Sequence, residues 1–156
     1  MVGVADMVVS NDPSAELVTY SLGSCLGITI YDPMKKVGGL LHIMLPDSRI
    51  DAAKAASAPF MFVDTGVPRL FQAVYNLGAE RHRLVVKVAG GASLLDEKGV
   101  FNIGERNAQA LSGLLARNGY AIQGRDVGGL SSRTLRMDLT TGKVTIKTPG
   151  TNTYFL

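Results

Sequence analysis

The stretch Leu26-Gly-Ile-Thr-Ile-Tyr-Asp-Pro-Met-Lys-Lys-Val-Gly-Gly-Leu-Leu-His-Ile-Met-Leu45 reads as two strands and the turn between them. Leu26–Tyr31 alternates and is rich in β-branched residues, and Asp32-Pro-Met-Lys35 turns it back into Val37–Leu45. An antiparallel hairpin at this place makes a sheet the organising element. On its N-terminal side, residues 2–9 and 16–21 read as strands joined across the turn signal Asn11-Asp-Pro-Ser14. On its C-terminal side, Pro46–Pro59 is a polar, alanine-containing connection. Apolar residues at 60, 63, 67, 70, 71, 74 and 77 then form a helical stripe that stops at Gly78. Pro68 inside it predicts either a kink or a helix starting near Thr65. Arg83–Ala89 reads as a buried strand. Asn102 followed by Glu105 predicts a capping box opening a helix that ends near Gly119. Strands around 120–126, 133–139 and 143–148 follow. Strands outnumber helices in a mixed order, which predicts an α+β fold.

With 156 residues the chain is read as one domain, residues 1–156, long enough to bury a core. A hydrophobic content of 46% against 19% charged residues excludes a disordered chain. No apolar run has the length of a membrane span, and Asp6 interrupts the one N-terminal stretch resembling a signal peptide. A single cysteine cannot make an internal disulfide or a thiolate zinc site, so a reducing cytoplasm is the expected compartment. The net charge of +3 is mild and its basic residues are scattered, which argues against nucleic acid as a partner. The pairs Gly38-Gly39, Gly90-Gly91 and Gly128-Gly129 fit no phosphate-binding fingerprint and predict bulges, turns or close backbone approach. Asp47, Asp51 and Asp64 have no metal-loop spacing and read as solvated surface.

Cys25 closes the segment Thr19-Tyr-Ser-Leu-Gly-Ser-Cys25, a strand running into a glycine turn. His42, 17 residues on, is the polar side chain of an otherwise apolar run. A thiol needs a nearby base, because little of a free thiol is ionised near neutrality. If Pro33 is the second residue of a turn over Asp32–Lys35, antiparallel partners have numbers summing to 67. Cys25 then faces His42 directly, with Cβ atoms about 5 Å apart. A sum of 69 makes them diagonal neighbours on one face, and a sum of 68 puts them on opposite faces. Residue chemistry alone leaves two readings open: a nucleophile–base pair, or a buried structural cysteine and a hydrogen-bonded core histidine.

The combination Thr19-x-x-Leu-Gly-Ser-Cys25 with His42-x-x-Leu-Pro46 closely resembles the chemoreceptor glutamine deamidase (CheD) family. Gly90-Gly-Ala92, Asn102-Ile-Gly104 with Arg106-Asn107, and Asp126-x-Gly-Gly129 with Arg133 continue the resemblance in order, from about Gly3 to Lys147. Around Ser131-Ser-Arg133 the pattern varies among relatives, and no contacts are carried over there.

The resemblance implies hydrolysis of the side-chain amides of selected glutamines to glutamate on methyl-accepting chemotaxis receptors, with methylesterase activity in some members. It implies a mixed-sheet, sandwich-like core with outer helices, related to cytotoxic necrotising factor-type cysteine deamidases. It also implies Cys25 as nucleophile, His42 as general acid and base, and Thr19 as the residue orienting His42. The glycine turn adds backbone N–H groups at Cys25 and at Gly23 or Ser24 as an oxyanion site. No cofactor and no metal are expected. Expected partners are the cytoplasmic helical region of the receptors and, in an alternative regulatory role, a CheC-type response-regulator phosphatase. The Pro46–Pro59 connection, following His42, is expected to form a wall of the substrate cleft.

Overall fold

The computed structural model describes residues 1–93 and 102–156. Nine strands and three α-helices are found among them: β1 Asp6–Ser10, β2 Glu16–Leu22, β3 Leu26–Asp32, β4 Val37–Ile43, α1 Ala52–Ser57, α2 Val63–Asn76, β5 Val85–Gly90, α3 Ile103–Arg117, β6 Gly124–Val127, β7 Arg133–Asp138, β8 Val144–Lys147 and β9 Tyr154–Phe155. The fold is α+β, built on two sheets. One has five strands in the order β1-β4-β3-β5-β6 and the other four in the order β2-β7-β8-β9. Pairing is antiparallel throughout except for β5 with β6.

Two apolar layers hold these elements together. Leu41 and Ile43 of β4, Ile28 and Ile30 of β3 and Val86 and Val88 of β5 pack with Val67, Leu70 and Val74 of α2 and Leu111 and Leu115 of α3. On the opposite face of the five-stranded sheet, Tyr31, Leu40 and Ala89 pack with Leu17, Leu22, Leu135, Met137, Val144 and Ile146 of the four-stranded sheet. The strand period of two therefore sends alternate residues of β3 and β4 into different cores. Gly38 and Gly39 let both layers come close: a Cβ at Gly38 would collide with Leu139 and Met137, and one at Gly39 would lie 2.8 Å from Leu70. No described helix is long and apolar enough to cross a membrane.

β1 and β2 flank the Asn11–Ser14 turn but do not pair with each other. β1 joins β4 and β2 joins β7, so the turn carries the chain from one sheet to the other. The β3–β4 hairpin corrects the expected register. Asp32 pairs with Val37 and Gly27 with His42, a sum of 69 and not 67. Its connection has four residues, 33–36, because the Asp32 carboxylate accepts from the N–H groups of Met34 (2.9 Å) and Lys35 (3.2 Å) and Lys36 takes φ +53°. Asp32 is held in turn by Arg83 at 2.8 Å, a pair whose carboxylate is fully buried.

α2 begins at Val63 and contains Pro68, so the proline interrupts neither its start nor its continuation. The polar connection after β4 is partly helical. It holds a 3-10 turn at Ser48–Ile50 and then α1, where Asp51 accepts from Lys54 N–H. Asp47 pairs with Arg49, and Asp64 accepts from the N–H and hydroxyl of Ser48. The capping box expected at Asn102 does not form. Asn102 is left-handed (φ +47°) and makes no side-chain cap bond, while α3 still starts at Ile103.

Candidate active site

β2 reaches the site through a bulge. Between Thr19 and Leu22 its pairing with β7 slips, and Ser21 takes φ +58°. The slip turns Tyr20 and Ser21 both to the surface and returns Leu22 to the core. The chain then bends through Gly23-Ser24-Cys25 before entering β3. Cys25 is half-buried at the edge of the inter-sheet core. Since Gly27 is the direct partner of His42, Cys25 lies two residues away on the same face, as a diagonal neighbour.

His42 is 1% exposed and Thr19 is fully buried. Thr19 Oγ1 lies 2.7 Å from His42 Nδ1 and donates its own hydrogen to the Val2 carbonyl at 2.8 Å. A hydroxyl has one hydrogen, so toward His42 it accepts, and Nδ1 carries the ring proton. The Nε2 lone pair is thereby left available, and Nε2 meets no hydrogen-bond partner among the described residues. Val2 is itself fixed by donation of its N–H to Val18.

Burial acts on both reactive groups in the direction of neutrality. It pushes the Cys25 thiol above its ordinary value and the His42 imidazole below its own. Both shifts favour a thiol beside a neutral base over a thiolate beside an imidazolium. Such a pair can move a proton when an electrophile arrives, which is general-base chemistry.

The turn bearing Cys25 is held by its carbonyls. Gly23 O accepts from Ala92 N–H (2.8 Å), Cys25 O accepts from Gly91 N–H (2.8 Å), and Ser24 O accepts from Asn107 Nδ2 (2.9 Å). Among the described residues, the N–H groups of Ser24 and Cys25 make no backbone–backbone hydrogen bond, and that of Cys25 lies against its own sulfur. Gly90, at φ +116°, is pressed so close to the Cys25 carbonyl that a Cβ there would overlap it. Behind this loop, Arg133 is 7% exposed and donates to the carbonyls of Gly90 (3.1 Å) and Gly128 (2.8 Å) while pairing with Asp126 at 3.3 Å. Gly91 and Gly104 are also in contact, where a side chain on Gly104 would strike the Gly91 carbonyl, so the first turn of α3 packs on the same loop.

The structure thus joins Thr19 to His42 by a hydrogen bond, puts Cys25 on the same face as His42, and sets Gly23 and Ser24 in the bend beside Cys25. The supporting residues Asn107, Asp126 and Arg133 were visible in the sequence only as motif positions without roles. Their side chains converge from α3, β6 and β7, and no local pattern announces that. Asp47 and Asp51 cap their own turns, and Asp64 in the first turn of α2 holds Ser48.

The chain matches the family model described as CheD chemotactic sensory transduction over residues 44–148. It is 49% identical over 150 residues to the probable chemoreceptor glutamine deamidase CheD 1 of Syntrophus aciditrophicus, covering 96% of this chain and 94% of that protein. It is 47% identical over 150 residues to the probable chemoreceptor glutamine deamidase CheD of Solibacter usitatus, covering 96% and 89%. A third relative, CheD 2 of Anaeromyxobacter dehalogenans, described in the same words, is 44% identical over 146 residues, or 94% of this chain and 92% of that one. The family match opens two residues after His42, whereas the pairwise similarities run through the segment that carries Thr19, Cys25 and His42. On these matches the chain belongs to the CheD family.

Proposed function

We propose that this protein is a cysteine-dependent glutamine deamidase acting on the cytoplasmic helical region of chemotaxis receptors. The observation that carries the reading is the buried imidazole of His42. Thr19 orients it at Nδ1, and its unpartnered Nε2 sits on the same face as Cys25, one diagonal away.

The arrangement supports a two-step reaction. His42 Nε2 takes the Cys25 thiol proton as Sγ attacks the amide carbon, and the carbonyl electrons move onto oxygen. The N–H of Cys25, with that of Ser24 or Gly23, receives this oxyanion. As the intermediate collapses, the carbon–nitrogen bond breaks and His42 returns the proton to the departing ammonia. A thioester remains. His42 next removes a proton from water, the resulting hydroxide attacks the thioester carbon, and Cys25 leaves and is reprotonated, with glutamate released. Thr19 holds the ring through both halves. It is a positioning residue, and as a neutral acceptor it supports imidazolium less than a carboxylate does, consistent with modest turnover.

Methylesterase activity on the same receptors follows from the same chemistry, with methanol leaving in place of ammonia. The Pro46–Pro59 connection is assigned one wall of the cleft; substitutions there should change receptor choice while sparing reactivity of Cys25 toward a small thiol probe. A cytoplasmic location and a single CheD-like domain belong to this reading, as does kinship with cytotoxic necrotising factor-type deamidases, with which the two-sheet core is compatible.

The test is mass spectrometry of a receptor cytoplasmic fragment incubated with wild type or Cys25→Ala. Amide-to-acid conversion by wild type alone is the expected result. Absence of conversion on a folded receptor bundle would reject the enzyme reading in favour of a binding partner that stimulates a CheC-type phosphatase.

A further inference from the structure

We propose that Asn107 orients the oxyanion-binding amide of the nucleophile turn by locking the plane of the Ser24–Cys25 peptide, an inference that rests on the deamidase reading of Cys25. A trans peptide is planar and points its C=O and N–H in opposite directions, and no described peptide bond is cis. The Ser24 carbonyl and the Cys25 N–H belong to one such plane. Asn107 Nδ2 draws the Ser24 carbonyl toward α3 at 2.9 Å, so the Cys25 N–H is turned away from α3. The same Nδ2 donates to the Met44 carbonyl at 3.0 Å, just past the end of β4 and two residues beyond His42. One side chain therefore ties the peptide carrying the oxyanion donor to the strand carrying the base.

The chemistry of the position calls for a carboxamide. Two carbonyls converge on a group that must supply two hydrogens from one atom. An amide NH₂ does so, a hydroxyl has one hydrogen, and a carboxylate has none. Asn107 is 0% exposed, so the side chain itself must meet this demand. The preceding plane, Gly23–Ser24, is fixed differently, through the backbone donation of Ala92 to the Gly23 carbonyl at 2.8 Å. Changing Asn107 therefore releases one plane and leaves the other. Once released and turned over, the Ser24–Cys25 peptide presents a carbonyl to the developing negative charge in place of an N–H.

This role separates two reactions of the same thiol. Amide hydrolysis passes through an oxyanion. Alkylation by iodoacetamide does not: the Sγ–carbon bond forms as the carbon–iodine bond breaks, and iodide leaves. Asn107→Asp keeps the size of the side chain and removes the donors. Its kcat on a receptor fragment should fall about 100-fold, the usual scale for losing one oxyanion donor, with KM and the alkylation rate of Cys25 near those of wild type. Part of the loss should reverse as pH falls, because a buried carboxyl facing carbonyls has a raised pKa and regains one hydrogen when protonated. Asn107→Ala should show the loss without that pH-dependent recovery, and its crystal structure should show the Ser24 carbonyl turned from its wild-type direction. Unchanged kcat, a parallel fall of kcat and alkylation rate, or a Ser24–Cys25 plane that keeps its direction in Asn107→Ala would each overturn the proposal. If wild type fails to deamidate any receptor, the deamidase reading falls by itself, and the plane seen in Asn107→Ala still judges the lock.

Discussion

Thr19→Val replaces the hydroxyl that orients His42 with a methyl of nearly the same size. Thr19 Oγ1 accepts from His42 Nδ1 at 2.7 Å and donates to the Val2 carbonyl at 2.8 Å, so the change strips two polar groups of a buried partner. Each orphaned group costs about 1–3 kcal/mol, which gives about 2–6 kcal/mol of stability altogether. For a chain of this size the melting temperature should drop by roughly 4–24 °C. Activity should suffer separately, because the imidazolium formed in the reaction loses its acceptor. A hydrogen bond to a charged group contributes about 1.5–3 kcal/mol, equivalent to a loss of about 10- to 150-fold in kcat. Thr19→Ser keeps the oxygen and should stay close to wild type in both respects. The assay pairs a melting curve with single-turnover deamidation of a receptor fragment, followed by intact mass. A Thr19→Val enzyme as fast as wild type, or a Thr19→Ser enzyme as slow as Thr19→Val, refutes the argument that the hydroxyl positions the base.

Four other outcomes follow from the structure. Burial lowers the His42 pKa, so in the pH range below 6.5 the unfolded chain takes up a proton that the folded chain refuses; this stability is complete above that range and is lost as pH falls through it, as urea titrations at stepped pH should show. Burial raises the Cys25 pKa, so its alkylation rate should still be climbing at a pH where an ordinary thiol has levelled off; a plateau below the ordinary range would contradict the neutral resting pair. Burial also pushes the Asp32 carboxyl up, but Arg83 and the N–H groups of Glu80, Lys35 and Met34 outweigh it and hold the group well below the usual carboxylate range. Its stabilisation is therefore full above 3.8 and lost as pH falls toward its folded value, and Asp32→Asn should lower the urea midpoint more than the exposed Glu80→Gln and remove that acid dependence. Gly90→Ala forces a side chain into a left-handed position against the Cys25 carbonyl; strain of about 1–3 kcal/mol and loss of deamidation are expected, read by melting and by mass.

Local pattern carried much of this architecture. The period-two runs at β3, β4, β7 and β8 and the 3.6-residue stripe of α2 are properties of short segments, and each element lies close to its expected place. What escaped was decided elsewhere in the chain. Nothing near Asn11–Ser14 tells that its two strands belong to different sheets, because their partners are about 30 and 120 residues away in sequence. The β3–β4 register slid from 67 to 69 because a buried carboxylate at Asp32, held by Arg83, closes a four-residue loop in place of a two-residue turn. The slip moves Cys25 from directly opposite His42 to a diagonal position, yet keeps both on one face because a shift of two preserves it. At Asn102 the local sequence favours a box, but the left-handed backbone at the start of α3 rules it out. The shared face of Cys25 and His42 was legible in the strand pattern, whereas Thr19 stood out only through the motif order of the family resemblance. Asn107 and Arg133 were not legible, since what they do is hold carbonyls of distant loops.

The central claim is that Cys25 carries the acyl group between the amide and water. Acid-quenched mass spectrometry on the pre-steady-state mixture of enzyme and receptor fragment tests it most directly. The account predicts a receptor–enzyme adduct that has lost ammonia, maps to Cys25, is cleaved by hydroxylamine and is absent from Cys25→Ala. Deamidation that proceeds without an adduct and persists in Cys25→Ala would contradict it.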